Sequence, residues 1–281
     1  MLDELNFESV YEEVQGSSAY SPEEKSAVTE AVLRSYEQMH EDMTDRSQFG
    51  SSGANAVCQH FLAKFASADS RERGFIFTLN QDLLVEAFGS LAPDMPGLPA
   101  GRTLARPVSL PGNDTLSAEA ATFLATRRRP LTYIKLHGSF EWRGANESRA
   151  IVIGTNKGMM LSEEPLLKWY QLIFREALHE KERSLLVIGY SFRDAHINDV
   201  ILSAVQSAGL KLWVMSPASP DEFRAMLQGV GPAGAPYIRH GNELWQALHG
   251  YYRGSVTDYY IHNHVKLPRI GARLFEDLGL A

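Results

Sequence analysis

The stretch Leu185-Leu186-Val187-Ile188 runs straight into Gly189-Tyr190-Ser191-Phe192-Arg193-Asp194 and then into Ala195-His196-Ile197-Asn198. Four consecutive apolar residues ended by a glycine read as a strand covered on both faces. Asp194 is placed as an N-cap, and Ile197, Val200, Ile201 and Ala204 follow at helical spacing. A strand that meets a helix N-terminus through a small residue and a hydroxyl suits a phosphate or ribose oxygen. The competing reading is an ordinary strand-to-helix turn.

Working outward, the same alternation recurs. Apolar runs lie at 75–78, 131–136, 150–153 and 212–215, with a weaker one at Tyr237-Ile238. Between them, Leu166, Leu167, Tyr170, Ile173, Phe174, Ala177 and Leu178 fall at three- and four-residue spacing, one face of a strong helix. Strand and helix in alternation predict an α/β fold with a mostly parallel, doubly wound sheet. Ahead of it, the first seventy residues read as helical. Ser21-Pro22-Glu23-Glu24 is a capping box with proline at the first helical position. Ala27, Val28, Ala31, Val32, Tyr36 and Met39 then share a face, and a second helix follows Gly53 through Val57, Phe61, Leu62 and Phe65. Residues 89–113 carry five prolines and read as a long loop or small subdomain, not a linker between full domains. The expected organisation is a helical segment over 1–73, the α/β domain over 74–253 and a tail over 254–281. The tail's Leu274, Phe275 and Leu278 make an amphipathic piece that docks either on the body or on a partner.

The chain has 281 residues, with 27 Lys plus Arg against 34 Asp plus Glu and a net charge of −7. That balance disfavours direct binding of long nucleic acid. No apolar run approaches the roughly 20 residues that cross a bilayer, and the acidic start MLDELNFESVYEEV does not read as a signal, so a cytoplasmic protein is expected. The one cysteine, Cys58, excludes an internal disulfide and any zinc module built on several cysteines. Other motifs fail on a single residue. His179-Glu180-Lys181-Glu182-Arg183 has Arg where a zinc-protease helix needs its second His. Arg193 replaces the closing glycine of a hydrolase nucleophile elbow, and Gly50-Ser51-Ser52-Gly53 lacks a phosphate-loop lysine. The Arg127-Arg128-Arg129 run reads as a solvated helix end, and His262-Asn263-His264 as a solvated pair rather than a metal site. No metal is expected.

Three segments stand at the carboxyl ends of expected strands, where open parallel sheets bind ligands. Thr78-Leu79-Asn80-Gln81-Asp82 follows the strand at 75–78, and would turn amide and carboxylate groups toward the crevice or simply cap the next helix. Lys135-Leu136-His137-Gly138-Ser139 closes the strand at 131–136 and offers a histidine, the side chain that titrates near neutral pH. The third is the Gly189 to Asn198 segment. Each is weak alone; all three in this order are less easily a coincidence.

Together, T-x-N-x-D, K-L-H-G and G-Y-S-F-x-D-x-H-I-N resemble the signature of the sirtuin-like, or silent-information-regulator-like, NAD-binding family. The resemblance is closest to the bacterial branch of anti-phage NAD hydrolases, and it runs from about Gly74 to Met215. It implies a Rossmann-like sheet that takes NAD as substrate. It implies that Asn80 and His137 are catalytic. It further implies that Thr78, Asp82, Gly138, Gly189, Ser191 and Ser216 contact the dinucleotide, Ser216 on the adenosine side. Deacylases of the family carry a four-cysteine zinc module that one cysteine cannot build, so the expected activity is NAD hydrolysis to nicotinamide and ADP-ribose. A degenerate domain that binds NAD or ADP-ribose, or scaffolds an assembly, without turnover is the alternative, and a homo-oligomer or a defence-system partner fits either. The family's opening strand and G-A-G-x-S loop find no counterpart before Tyr11, so that first strand is expected to be missing from this chain.

Overall fold

The computed structural model describes residues 7–43, 45, 53–66, 74–88, 91, 93–98, 108–125, 131–144, 149–153, 161–229, 238–259 and 269–280. Gly50 to Ser52, Arg127 to Arg129, Tyr237 and the His262–His264 pair lie outside them, as does most of the central part of the proline-rich loop. The chain forms two compact units, 1–171 and 172–281.

The first unit opens with α1 (Phe7–Gly16) and α2 (Pro22–Met43). The capping box forms as expected. The Glu24 backbone N–H donates to Ser21 Oγ at 3.3 Å, and the Ser21 N–H donates to Glu24 Oε2 at 2.8 Å. Gln15 of α1 donates to the Lys25 carbonyl at 2.9 Å and so fixes the hairpin. The buried stripe of α2 is turned from the expected one. Val28, Val32 and Tyr36 are on it, but Leu33 and His40 complete it while Ala27, Ala31 and Met39 face solvent. Leu33 offers far more apolar surface than the alanines, and it packs with Leu83, Phe140 and Ile153. Tyr36 stacks on Phe140 at 6.0 Å. Next come α3 (Ala54–Ala63), with Val57 and Phe61 buried, and β1 (Gly74–Thr78). A short helix α4 (Leu84–Ala87), β2 (Val108–Ser109) and α5 (Asn113–Ala125) lead to β3 (Leu131–Lys135), β4 (Gly138–Arg143) and β5 (Arg149–Ile151).

Strands β1 and β3 pair in parallel with Gly74 beside Leu131 and Thr78 beside Lys135. Both therefore end at the same level. Asp94, inside the proline-rich stretch, bridges to β3: its N–H donates to the Leu131 carbonyl at 2.9 Å and its carbonyl accepts from Tyr133 N–H at 2.8 Å. A second group of strands is mixed, with β2 parallel to β4 and β5 antiparallel to it. The run at 150–153 is thus a short antiparallel strand, shorter than its apolar length suggested.

Helix α6 (Pro165–His179) passes through the boundary at 171/172, and all seven residues of its expected face are buried. In the second unit β6 (Ser184–Ile188), α7 (Ala195–Ala208), β7 (Lys211–Ser216), α8 (Pro220–Gln228), α9 (Gly241–Gln246) and β8 (Leu248–Arg253) follow. The three strands form one parallel sheet in the order β6-β7-β8. Ile238 sits in a bend, and the third strand of this sheet begins ten residues later, at Leu248. Gly250 of β8 is required by packing: a Cβ there would stand 2.1 Å from the Trp213 ring. The tail docks on the body of this unit. Helix α11 (Arg269–Asp277) follows the single turn α10 (Val256–Tyr259), and the Tyr252 hydroxyl donates to Asp277 Oδ2. Gly271 lets α11 approach the Tyr259 carbonyl, which a Cβ would meet at 2.0 Å. Parallel strands joined by helices make the chain α/β and Rossmann-like, the class expected from its sequence.

Candidate functional site

The register of β1 against β3 decides the geometry in the first unit. Because Thr78 and Lys135 are partners, the Thr78–Asp82 loop and the Lys135–Ser139 turn leave the sheet side by side. The two segments are then stitched together. Leu136 N–H donates to the Thr78 carbonyl at 2.9 Å, Phe140 N–H to the Gln81 carbonyl at 3.2 Å, and Ser139 Oγ to the same carbonyl at 3.3 Å. Lys135 Nζ donates to the Asp82 carbonyl, to Glu86 Oε1 at 2.8 Å and to Ser139 Oγ at 3.0 Å. Gln81 adds a bond from Nε2 to the Val152 carbonyl at 2.8 Å.

Within this frame the expected site residues differ in exposure. Asn80 is exposed, its backbone held by an N–H that donates to Thr78 Oγ1 at 3.0 Å. Asp82 is buried, and its Oδ1 accepts from Leu84 N–H at 2.9 Å, a turn bond just ahead of α4, whose N-cap position is Leu83. His137 is 3% exposed, and its carbonyl accepts from Val152 N–H at 3.1 Å. Gly138 has φ +76°, a left-handed conformation that lets the chain reverse directly into β4. Around them Tyr133 is fully buried, and burial, then the Glu86 and Asp82 carboxylates, hold its hydroxyl far above the ordinary range. His40 of α2 lies against Phe140, ring centroids 6.4 Å apart. Burial lowers its pKa, Asp82, Glu86 and Glu41 oppose that, and Lys135 adds to it.

In the second unit the register again sets the ends together, with Ile188 beside Met215. Gly189 and Ser216 thus leave β6 and β7 at one edge. Gly189 has φ +67° and open space where a Cβ would stand. Ser191 is exposed, while Ser216 is half-buried and its Oγ accepts from Ala218 N–H at 3.3 Å. The loop is held from behind by Asn198, which is fully buried on α7. Asn198 Nδ2 donates to the Phe192 carbonyl at 2.7 Å, and its Oδ1 lies 3.0 Å from the Tyr190 hydroxyl. Tyr190 Oη also accepts from Asp194 N–H at 3.2 Å. Burial, then the Asp194 carboxylate, raise the Tyr190 pKa so far that the group stays a neutral phenol. Phe192 sits at φ +58°, uncommon for a bulky residue, with its ring 1% exposed. Asp194 is at the N-cap of α7 but makes no side-chain cap bond, so the first N–H groups of that helix are not claimed by its carboxylate.

The family model of the SIR2-like domain matches residues 74–231, more than half of the chain and both of these loop systems. The chain belongs to the SIR2-like family. No curated protein matches it in a sequence search. Membership in the SIR2-like family carries an NAD-related function. Of the expected site residues, Asn80, Gly189 and Ser191 are exposed. Among the described residues no three His, Cys, Asp or Glu side chains gather as a metal site, and no helix is long and apolar enough to cross a membrane. Cys58 is half-buried, and burial pushes its thiol up.

Lys135, Glu86, Gln81 and Asn198 were not among the expected site residues, although they organise both loops. Lys135 was visible in K-L-H-G as the charged residue inside the mostly apolar run at 131–136. Asn198 was visible as the polar residue of an otherwise apolar helical face.

Proposed function

We propose that this SIR2-like chain is an NAD glycohydrolase that releases nicotinamide and ADP-ribose in the setting of bacterial anti-phage defence. The observation that carries the reading is the union, in the first unit, of the Asn80 loop with the His137 turn at the carboxyl ends of two paired parallel strands. Cleaving the nicotinamide–ribose bond develops oxocarbenium character at the ribose, as in glycoside hydrolysis. Asn80 positions the ribose and the attacking water, and His137 takes the proton from that water or a ribose hydroxyl. Asp82 orients the nicotinamide amide, and Thr78 and Gly138 shape the same pocket. Gly189 and Ser191 contact the phosphates and ribose, and Ser216 the adenosine side. The single Cys58 in the sequence argues against the zinc-bearing deacylases of the family.

A second reading, binding of NAD or ADP-ribose without turnover, is favoured by one observation. His137, the base of the first reading, is 3% exposed, whereas Asn80 is open to solvent. The two readings separate when purified protein is incubated with NAD and nicotinamide is followed by chromatography. Hydrolysis gives nicotinamide and ADP-ribose in equal amounts. Saturable NAD binding with no nicotinamide released establishes the second reading instead.

A further inference from the structure

Lys135 has no exposed surface at all, which is rare for lysine. An ammonium taken out of water is costly unless every donor is matched. Here all three donors are used, on Glu86 Oε1, Ser139 Oγ and the Asp82 carbonyl. These partners come from three separate pieces of chain: the loop after β1, helix α4 and the start of β4. Ser139 extends the reach, since it accepts from Lys135 and donates to the Gln81 carbonyl. The Gln81 and Asp82 carbonyls, in the two residues after Asn80, are thereby pinned from one buried charge. Glu86 supplies the counter-charge: its Oε1 stands 2.8 Å from the ammonium, and the same carboxylate faces the buried Tyr133 hydroxyl. A buried ion pair contributes little net stability compared with apolar groups of the same volume, so what this one adds is fixed geometry at the Gln81–Asp82 backbone.

We propose that Lys135, with Glu86 as counter-charge and Ser139 as relay, is the positioning residue that holds the Asn80–Asp82 loop in the geometry the NAD reaction needs. This rests on the NAD hydrolase reading above, and the test separates the two. The full chain is compared with the double variant Lys135→Met/Glu86→Leu, which removes both charges together, and with Ser139→Ala, which removes only the relay. The double variant is expected to fold but to melt several degrees below the parent, because the pair is replaced without leaving a lone charge while the Asp82 carbonyl loses its donor. Its amide hydrogen exchange at residues 80–84 rises roughly tenfold or more, the loss of about one charged hydrogen bond, while exchange in α2 and β3 is unchanged. Its kcat for nicotinamide release falls at least about tenfold with little change in KM, because misplacing a reacting group costs rate rather than binding. Ser139→Ala gives a smaller change of the same sign, and stands in for the double variant if that chain does not fold. Parent-like exchange at 80–84 together with parent-like kcat in the folded double variant overturns the proposal; for Ser139→Ala standing alone, unchanged loop exchange does so. A parent that neither binds nor cleaves NAD refutes the hydrolase reading, and loop exchange in the variants then decides on the tether by itself.

Discussion

Replacing Asn198 by Asp changes one atom of a fully buried side chain and tests how the Gly189–Asp194 loop is held. Asn198 Nδ2 donates to the Phe192 carbonyl at 2.7 Å, and Asp offers an oxygen there instead. The carbonyl loses its partner and faces a second acceptor at hydrogen-bond distance. Leaving one buried carbonyl unsatisfied costs about 1–3 kcal/mol, and a buried carboxylate adds to that, so a loss of at least ~2 kcal/mol is expected near neutral pH. At roughly 2–4 °C per kcal/mol for a chain of this size, the melting temperature falls by about 4–8 °C. The loss is pH-dependent. Burial raises the folded-state pKa of the introduced carboxyl above its unfolded value, and the protonated form can donate to the Phe192 carbonyl. That stabilisation is fully present below the unfolded pKa of about 4 and disappears as pH rises through the folded pKa. The variant is therefore closest to the parent in acid and furthest from it at alkaline pH. Thermal melts of both proteins at several pH values between 5 and 8 check this. A variant that melts with the parent at pH 8, or whose deficit grows toward acid, refutes the role assigned to Asn198.

Gly250→Ala drives a methyl group into the Trp213 ring, 2.1 Å away, and the overpacking costs about 1–3 kcal/mol, read as a lower denaturation midpoint. Gly271→Ala meets the Tyr259 carbonyl at 2.0 Å and loosens the C-terminal helix, so limited proteolysis cuts within 269–280 sooner than in the parent. His40 has its pKa lowered chiefly by burial, so between the folded and unfolded pKa values the unfolded state binds more protons. Stability tied to neutral His40 is present above the unfolded pKa, roughly 6.5, and is lost as pH falls toward the folded pKa. His40→Gln removes this component, and its stability changes less between pH 7.5 and 5.5 than the parent's. Ser21→Ala removes the capping box of α2 and lowers stability by about 1 kcal/mol in denaturant titration.

The elements that could be read from sequence are those with one dominant signal. The seven apolar positions of α6, the capping box at Ser21 and the apolar runs of β1, β3, β6 and β7 all appear where expected. Strand β8 was missed because Leu248-His249-Gly250-Tyr251-Tyr252-Arg253 mixes polar residues with a glycine, and the reason for that glycine is the Trp213 ring on the neighbouring strand. Strand β4 was missed for a similar reason: it starts at Gly138, immediately after a motif read for its chemistry. The face of α2 was turned because alanines satisfy a helical pattern as well as leucine does, while burial favours the larger group. In the two loop systems, motif spacing singled out Asn80 and Ser191, and both are exposed. The groups that hold them, Lys135 through Glu86 and Ser139, and Asn198 through Tyr190, act across 4 to 53 residues of sequence. Such pairings appear only once the strands are in register.

The NAD reading rests on the first unit, where the Asn80 loop and the His137 turn leave paired strands side by side. Amide hydrogen exchange of the parent with and without saturating NAD tests it most directly. Slower exchange in both 78–84 and 135–140, abolished at both places by Asn80→Ala, is the predicted result. Protection of one of these segments alone, or of neither, contradicts the reading.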